Sequence, residues 1–136
     1  KLDHYVGADG NNYPLDSLIL TEGEQDARTE FEVELAGEGS GADIVSRAVA
    51  RGKSHQEYTS TIIGNAPCTG HSECDAIIDG EATVDAAPKL CAHHGDAALI
   101  HEAAIGKIAG EQILKLRTLG LTEQEAEARI IEGFLS

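Results

Sequence analysis

Apolar residues return in this chain at an interval of 15. Leu18 and Leu20 are followed by Val33 and Leu35, and Ile62 and Ile63 by Ile77 and Ile78. Short strands recurring at a fixed spacing, with small and turn-forming residues between them, predict the stacked coils of a β-solenoid or β-helix. A β-sandwich is the alternative, because it too spaces short strands regularly. The clearest strand is TEFEVELA, where Phe31, Val33 and Leu35 alternate with Glu30, Glu32 and Glu34. That period of two assigns one face to a core and the other to water.

Along the chain, residues 1 to 16 carry turn chemistry (Gly7, Gly10, Asn11, Asn12, Pro14) and read as an irregular edge. SLILT and HQEYTSTIIG read as strands. Between TEFEVELA and HQEYTSTIIG, Gly37, Gly39 and Ala42 formally meet the G-x-G-x-x-G/A dinucleotide fingerprint. That motif requires a helix next, within a βαβ unit. ADIVSRAVA would have to be that helix, and a glycine-rich turn between strands is the preferred reading. After Ile100 the composition changes, and Gly110 to Leu119 reads as a helix. Ile113, Leu116 and Leu119 share a face that ends at Gly120, a candidate C-terminal cap. Thr122 and Glu125 form a capping box for a second helix, with Ala126, Ile130, Ile131 and Phe134 on one side.

Charge narrows the partners. With 24 acidic and 10 basic residues the formal charge is -14, which opposes nucleic acid and anionic membrane, since binding to either relies on Lys and Arg. No apolar run approaches the roughly 20 residues that span a bilayer. The first residues, KLDHYVGADG, lack a signal-peptide core, so a cytoplasmic location is expected. In 136 residues one domain is the expectation. The three cysteines are an odd number, pointing to free thiols or to metal and redox chemistry, not to a disulfide framework. The chain contains no methionine, which reads as a fragment or as missing modified residues.

The candidate ligands lie in two stretches. Cys68, His71 and Cys74 stand as C-x2-H-x2-C, and Cys91 with His93 follows, so a zinc site drawn from these is one alternative. Parity argues against it: on a strand, His71 and Cys74 point to opposite faces. His101-Glu102 opens like H-E-x-x-H, but Ile105 stands where the second histidine belongs. Gly106-Lys107 mimics the end of a phosphate loop, but His101 and Ile108 occupy its glycine and hydroxyl positions. On chemistry alone, His101 and Glu102 also fit a polar pair leading out of the sheet.

ECDAIIDGEATVDAAPKL, followed by AHHGDAALIHEAAIGKIAGEQILKLRTLGLTEQEAEARIIEGFL, resembles the C-terminal part of the SufB/SufD family, the scaffold subunits of SUF iron-sulfur cluster assembly. GKSHQEYTSTIIGNAPCTGHS is similar to the strand region before it. The likeness runs from about Gly52 to Leu135, and its most specific parts are H-E-A-x-x-G-K-I and the G-L-T-E-x-E-A tail.

The resemblance implies a right-handed parallel β-helix followed by a C-terminal helical hairpin, with coils over 1–103 and the helical segment over 104–136. It implies a scaffold, not an enzyme. Pairing is expected through the β-helix, as a homodimer or a SufB/SufD-type heterodimer, and a SufC-like ATPase is expected to dock on the helices. By position, Cys74 matches the SufB cysteine implicated in assembly, Glu102 its partner glutamate, and His101 the histidine that SufD-type subunits contribute. Cys91 lies near a further SufB cysteine. Together these four are expected to hold a transient iron-sulfur cluster, with iron on Cys74, His101 and Glu102. The resemblance assigns no such role to Cys68, His71, His93 or His94. A β-solenoid that only mediates dimerisation is the other alternative. Family members are commonly much longer than this chain.

Overall fold

The structure, a computed structural model, describes residues 2–7, 12–108 and 110–135, with side chains at 12, 14–108 and 110–135. In chain order the elements are β1 (Leu2–Gly7), β2 (Asn12–Thr21), β3 (Asp26–Leu35), β4 (Ser40–Ala50), β5 (His55–Gly64), β6 (Cys68–Ile78), β7 (Thr83–Ala92), β8 (Ala97–Lys107), α1 (Gly110–Thr118) and α2 (Glu123–Leu135). Successive strands alternate between two four-stranded sheets. The first has the order β1-β3-β5-β7 and the second β2-β4-β6-β8. Every pairing is parallel. This is a parallel β-solenoid, and the sandwich alternative falls because no strand pairs with its sequence neighbour.

Strand partners lie 28 or 29 positions apart, as with Ser40 and Cys68 or Cys68 and Ala97. The 15-residue recurrence is therefore half a coil. It carries the chain from one sheet across to the other, and two such steps return it to the same sheet one layer on.

Alternation along each strand separates lumen from surface. Phe31, Val33 and Leu35 on β3, Ile44 on β4, and Tyr58 and Ile62 on β5 are buried in one core. The glutamates beside Phe31 and Val33 point outwards, as the period of two requires.

The turns after β2, β4 and β6 reuse one device. Gly23, Gly52 and Gly80 have φ of 60°, 68° and 74°, a left-handed conformation that side chains disfavour. They also stack, so that a Cβ on Gly52 would lie 3.1 Å from the Gly23 nitrogen. The amide of Lys53 donates to the Gly23 carbonyl at 2.7 Å, and that of Glu81 to the Gly52 carbonyl at 2.8 Å.

The segment following Gly39 is strand β4, not a helix, which removes the dinucleotide-binding reading. The stretch 1–16 read as irregular, yet it contains β1 and the start of β2. Its Pro14 is tolerated because β2 is an edge strand, as is β7, which carries Pro88. At the other end β8 continues to Lys107, and helix begins at Gly110.

The helical hairpin follows its sequence signals. Gly120, at φ 96°, closes α1: its amide donates to the Arg117 carbonyl at 3.0 Å, and the Leu121 amide to that of Leu116 at 3.4 Å, a Schellman pair. The capping box forms reciprocally, Thr122 N–H to Glu125 Oε2 and Glu125 N–H to Thr122 Oγ1, both at 3.2 Å. α2 packs on β4. There Val49 faces out of the lumen but is 0% exposed, and Ala126 and Ile131 are the buried residues of the helix. Leu119 falls beyond the end of α1, in the turn, and is 79% exposed.

Candidate functional site

The third coil, β5 and β6, places Cys74. Three close approaches show which residues face each other across its lumen. A Cβ on Gly64 would lie 3.1 Å from Cys68 Sγ, and one on Gly70 would lie 3.0 Å from Ile62 Cγ2. The Ser60 and Ser72 hydroxyls are 3.2 Å apart. Each step of two back along β5 thus matches a step of two forward along β6, and the next pair is Tyr58 with Cys74. Both lie in the buried core cluster, Tyr58 5% and Cys74 1% exposed.

This pair sits in a polar section of the lumen. Cys74 pairs with Ser46 on β4 and with Ala103 on β8, and Ser72 pairs with His101. On one face, His101 is therefore the diagonal neighbour of Cys74 on the adjacent strand. The Tyr58 hydroxyl and His101 Nδ1 are buried without a hydrogen-bond partner. Burial pushes the Cys74 thiol up, and the Asp75 carboxylate adds to that. Burial is also the main cause that raises the Tyr58 phenol; the nearby Ser60 and Ser72 hydroxyls partly offset it without reaching hydrogen-bond geometry. His101 is held below its ordinary value, first by burial and then by the His71 charge, with Glu102 opposing. At neutral pH it is a neutral imidazole, the form that ligates metal.

Glu102 belongs to a different compartment. It follows His101 on the same strand, so its carboxylate lies on the outer face of the second sheet. There His71 Nδ1 donates to Asp43 Oδ1 at 2.9 Å and Nε2 to Glu102 Oε2 at 3.3 Å. Only an imidazolium donates from both nitrogens. Accordingly the His71 pKa is raised, by the Asp43 hydrogen bond first and the Glu102 one second. Nearby, the Asp75 carboxylate holds the Glu73 carboxyl above the usual range.

The four expected site residues thus fall in three places: Cys74 and His101 in the lumen, Glu102 outside the second sheet, and Cys91 on the outer face of the first. Cys91 pairs there with Ile63 and is half-buried. The zinc set does not converge. Cys68 and Cys74 share a face but are six residues apart on one strand, roughly 20 Å, and His71 points the other way. His93 and His94 are exposed in the turn after β7, where the Asp96 amide donates to His94 Nδ1 at 3.0 Å.

Sequence reasoning missed Tyr58 and the tie between His71 and Glu102. It also missed an outer-face group on the first sheet, where His55 Nε2 lies 3.7 Å from Glu57 and 3.6 Å from Asp85. Among the described residues this is the one group of three His, Cys, Asp or Glu side chains with ligand atoms close enough to share an ion. Arg28 already engages its Glu57, at 3.3 Å. The register was the available signal: positions 28 or 29 apart stack on one row, and neither His55 with Thr83 nor Asp43 with His71 stands out before that spacing is known.

Comparison with known proteins agrees with the fold. Residues 2–134 match the family described as SUF system FeS cluster assembly, SufBD core domain. Proteins described as iron-sulfur cluster assembly SufBD family members are similar to it in several archaea. The one from Methanothermobacter thermautotrophicus is 39% identical over 104 residues, covering 75% of this chain and 25% of the relative. That from Archaeoglobus fulgidus is 42% identical over 108 residues, covering 74% and 28%. One from Pyrococcus horikoshii is 34% identical over 136 residues, covering 97% and 30%. The chain spans only about a quarter to a third of the length of these relatives. With eight parallel strands in a solenoid, a helical tail, and a match that runs nearly from end to end, the chain belongs to the SufBD core domain family of SUF iron-sulfur cluster assembly.

Proposed function

We propose that this chain is a scaffold for iron-sulfur cluster assembly, a non-enzymatic cytoplasmic platform whose cargo is held transiently by Cys74 and His101. The observation that carries this reading is the placing of a soft sulfur ligand diagonally across from a neutral imidazole, whose buried Nδ1 has no partner, on adjacent strands of one lumen, in a chain of the SufBD family. Thiolate and imidazole suit iron. Burial favours the neutral thiol of Cys74, so loading with iron or sulfur must release its proton, and a shell this small gives up its product readily. Glu102, tied to His71 outside the sheet, enters only through a rearrangement of β8 or a partner set against that face. Cys91, on the other sheet, serves at most as a separate sulfur acceptor.

Two surfaces support partners. The last coil leaves β7 and β8 with unpaired edges, and its lumen-facing Leu90 and Ile105 are 40% and 42% exposed, which suits pairing with a second copy or a paralogue. Leu114 and Leu119 are exposed on the helical hairpin, which suits docking of a SufC-like ATPase. Among the described residues, no helix is long and apolar enough to cross a membrane.

The test is anaerobic reconstitution with iron and sulfide, read by visible absorption and by iron and sulfide content. Cys74→Ser is expected to abolish cluster build-up; undiminished build-up overturns the site. A wild-type chain that stays colourless, alone and with its ATPase co-expressed, favours a dimerisation module. Removal of 110–136 is expected to abolish capture of the ATPase, and retained capture contradicts docking on the helices.

A further inference from the structure

The Tyr58 hydroxyl is the odd group in this core. A buried hydroxyl without a partner is costly, and phenylalanine would supply the same ring to the edge-on contact with Phe31, whose centroid lies 6.1 Å away. Tyr58 lies across the lumen from Cys74, in the section where Ser46, Ser60 and Ser72 replace apolar side chains, and its hydroxyl senses both the Ser60 hydroxyl and the Cys74 sulfur. In the last coil, the neighbours of Tyr58 and Cys74 are Ala86 and Ala103, which fill little of the space beyond them. A sulfur atom added to Cys74 Sγ extends the side chain by about 2 Å into the lumen.

We propose that Tyr58 is the positioning residue for sulfur carried by Cys74, its hydroxyl donating a hydrogen bond to the anionic outer sulfur of a Cys74 persulfide. This rests on the reading of Cys74 as a cargo-holding thiol. The step is a transfer between sulfurs with no net oxidation. The Cys74 thiolate attacks the outer sulfur of a low-molecular-weight persulfide, the Cys74–sulfur bond forms, the donor's sulfur–sulfur bond breaks, and the donor leaves as a thiolate that takes up a proton. The product is an anion beside two buried residues, Tyr58 and Cys74, where a donor already in place costs no reorganisation. The Ser60–Ser72 pair lies alongside and lends further polar atoms.

The test uses the whole chain, treated anaerobically with glutathione persulfide. Peptide mass mapping locates the added sulfur, and alkylation across a pH series gives the lifetime and the pH midpoint of the persulfide anion. Wild type is expected to hold the sulfur on Cys74. Tyr58→Phe is expected to shorten its lifetime by about tenfold and to move the anion midpoint up by about one pH unit, the size of one lost hydrogen bond to a charged group. A purely structural tyrosine would not move that midpoint. A persulfide that forms in both proteins with equal lifetime and midpoint overturns the role of Tyr58 alone. A wild-type Cys74 that takes up no sulfur, while the half-buried Cys91 does, overturns its sulfur role and the Tyr58 assignment with it.

Discussion

His71 Nε2 lies 3.3 Å from Glu102 Oε2, tying β6 to β8 across the outer face of the second sheet, while His71 Nδ1 reaches Asp43 on β4. One imidazolium therefore spans three strands in three successive coils.

Because the folded pKa of His71 is raised, its contribution is fully present below the ordinary imidazole range and is lost as pH rises through the raised value. His71→Gln removes it at every pH. The stability difference between wild type and variant is expected to be at most about 1 kcal/mol, since the group is more than a third exposed and screened by solvent. It should shrink as pH rises from about 5 to about 9. Thermal midpoints across that range check this, and a constant difference would contradict it.

Tyr58→Phe should stabilise the chain while weakening the site. Removing an unpartnered buried hydroxyl relieves a desolvation cost of about 1 kcal/mol, and the ring keeps its contact with Phe31. Denaturant unfolding should show a higher midpoint with an unchanged slope. A loss of stability would mean that the hydroxyl is satisfied.

Gly70 is small because the lumen is full beside it. A Cβ there would lie 2.9 Å from Leu99 Cδ2 and 3.0 Å from Ile62 Cγ2. Gly70→Ala is expected to cost about 1–3 kcal/mol, the range for overpacking. Adding Leu99→Ala should lessen the overpacking penalty, so that a double-mutant cycle shows coupling between the two sites.

The capping box of α2 is exposed and local. Thr122→Ala should remove about 1 kcal/mol of local stability, and Thr122→Ser should restore most of it. Amide exchange in the first turn of α2 is the appropriate measurement, with the strands serving as an unchanged reference.

Much of the fold was open to reading because the outer face is so polar. Phe31, Val33 and Leu35 announce their strand only because glutamates separate them. The capping box and Gly120 are equally local, and the end of α1 and the start of α2 followed from them. The 15-residue recurrence revealed the stacking, but it concealed the pairing distance, because half a coil and a whole coil leave similar apolar marks. Parity applied to His71 and Cys74 separated them correctly. The same test splits His101 from Glu102, but it requires knowing that β8 runs on through both, and the helical pattern that follows obscures this. Tyr58 could not be matched to Cys74 in advance, since which residues face each other across the lumen depends on how many residues the intervening turn consumes.

The stacked glycines at Gly23, Gly52 and Gly80 have a consequence for how such chains vary in length. Each turn passes its amide to the turn below and presents an equivalent carbonyl to the next, so a layer can be inserted or removed without altering the chemistry of the joint. The permitted unit of change is the whole layer, 28 or 29 residues. A single-residue insertion within a strand is another matter: every side chain beyond it would change compartments, placing Glu102 in the lumen and His101 in solvent. Size in this architecture is free to drift by layers, whereas inside and outside are held by the count within each one.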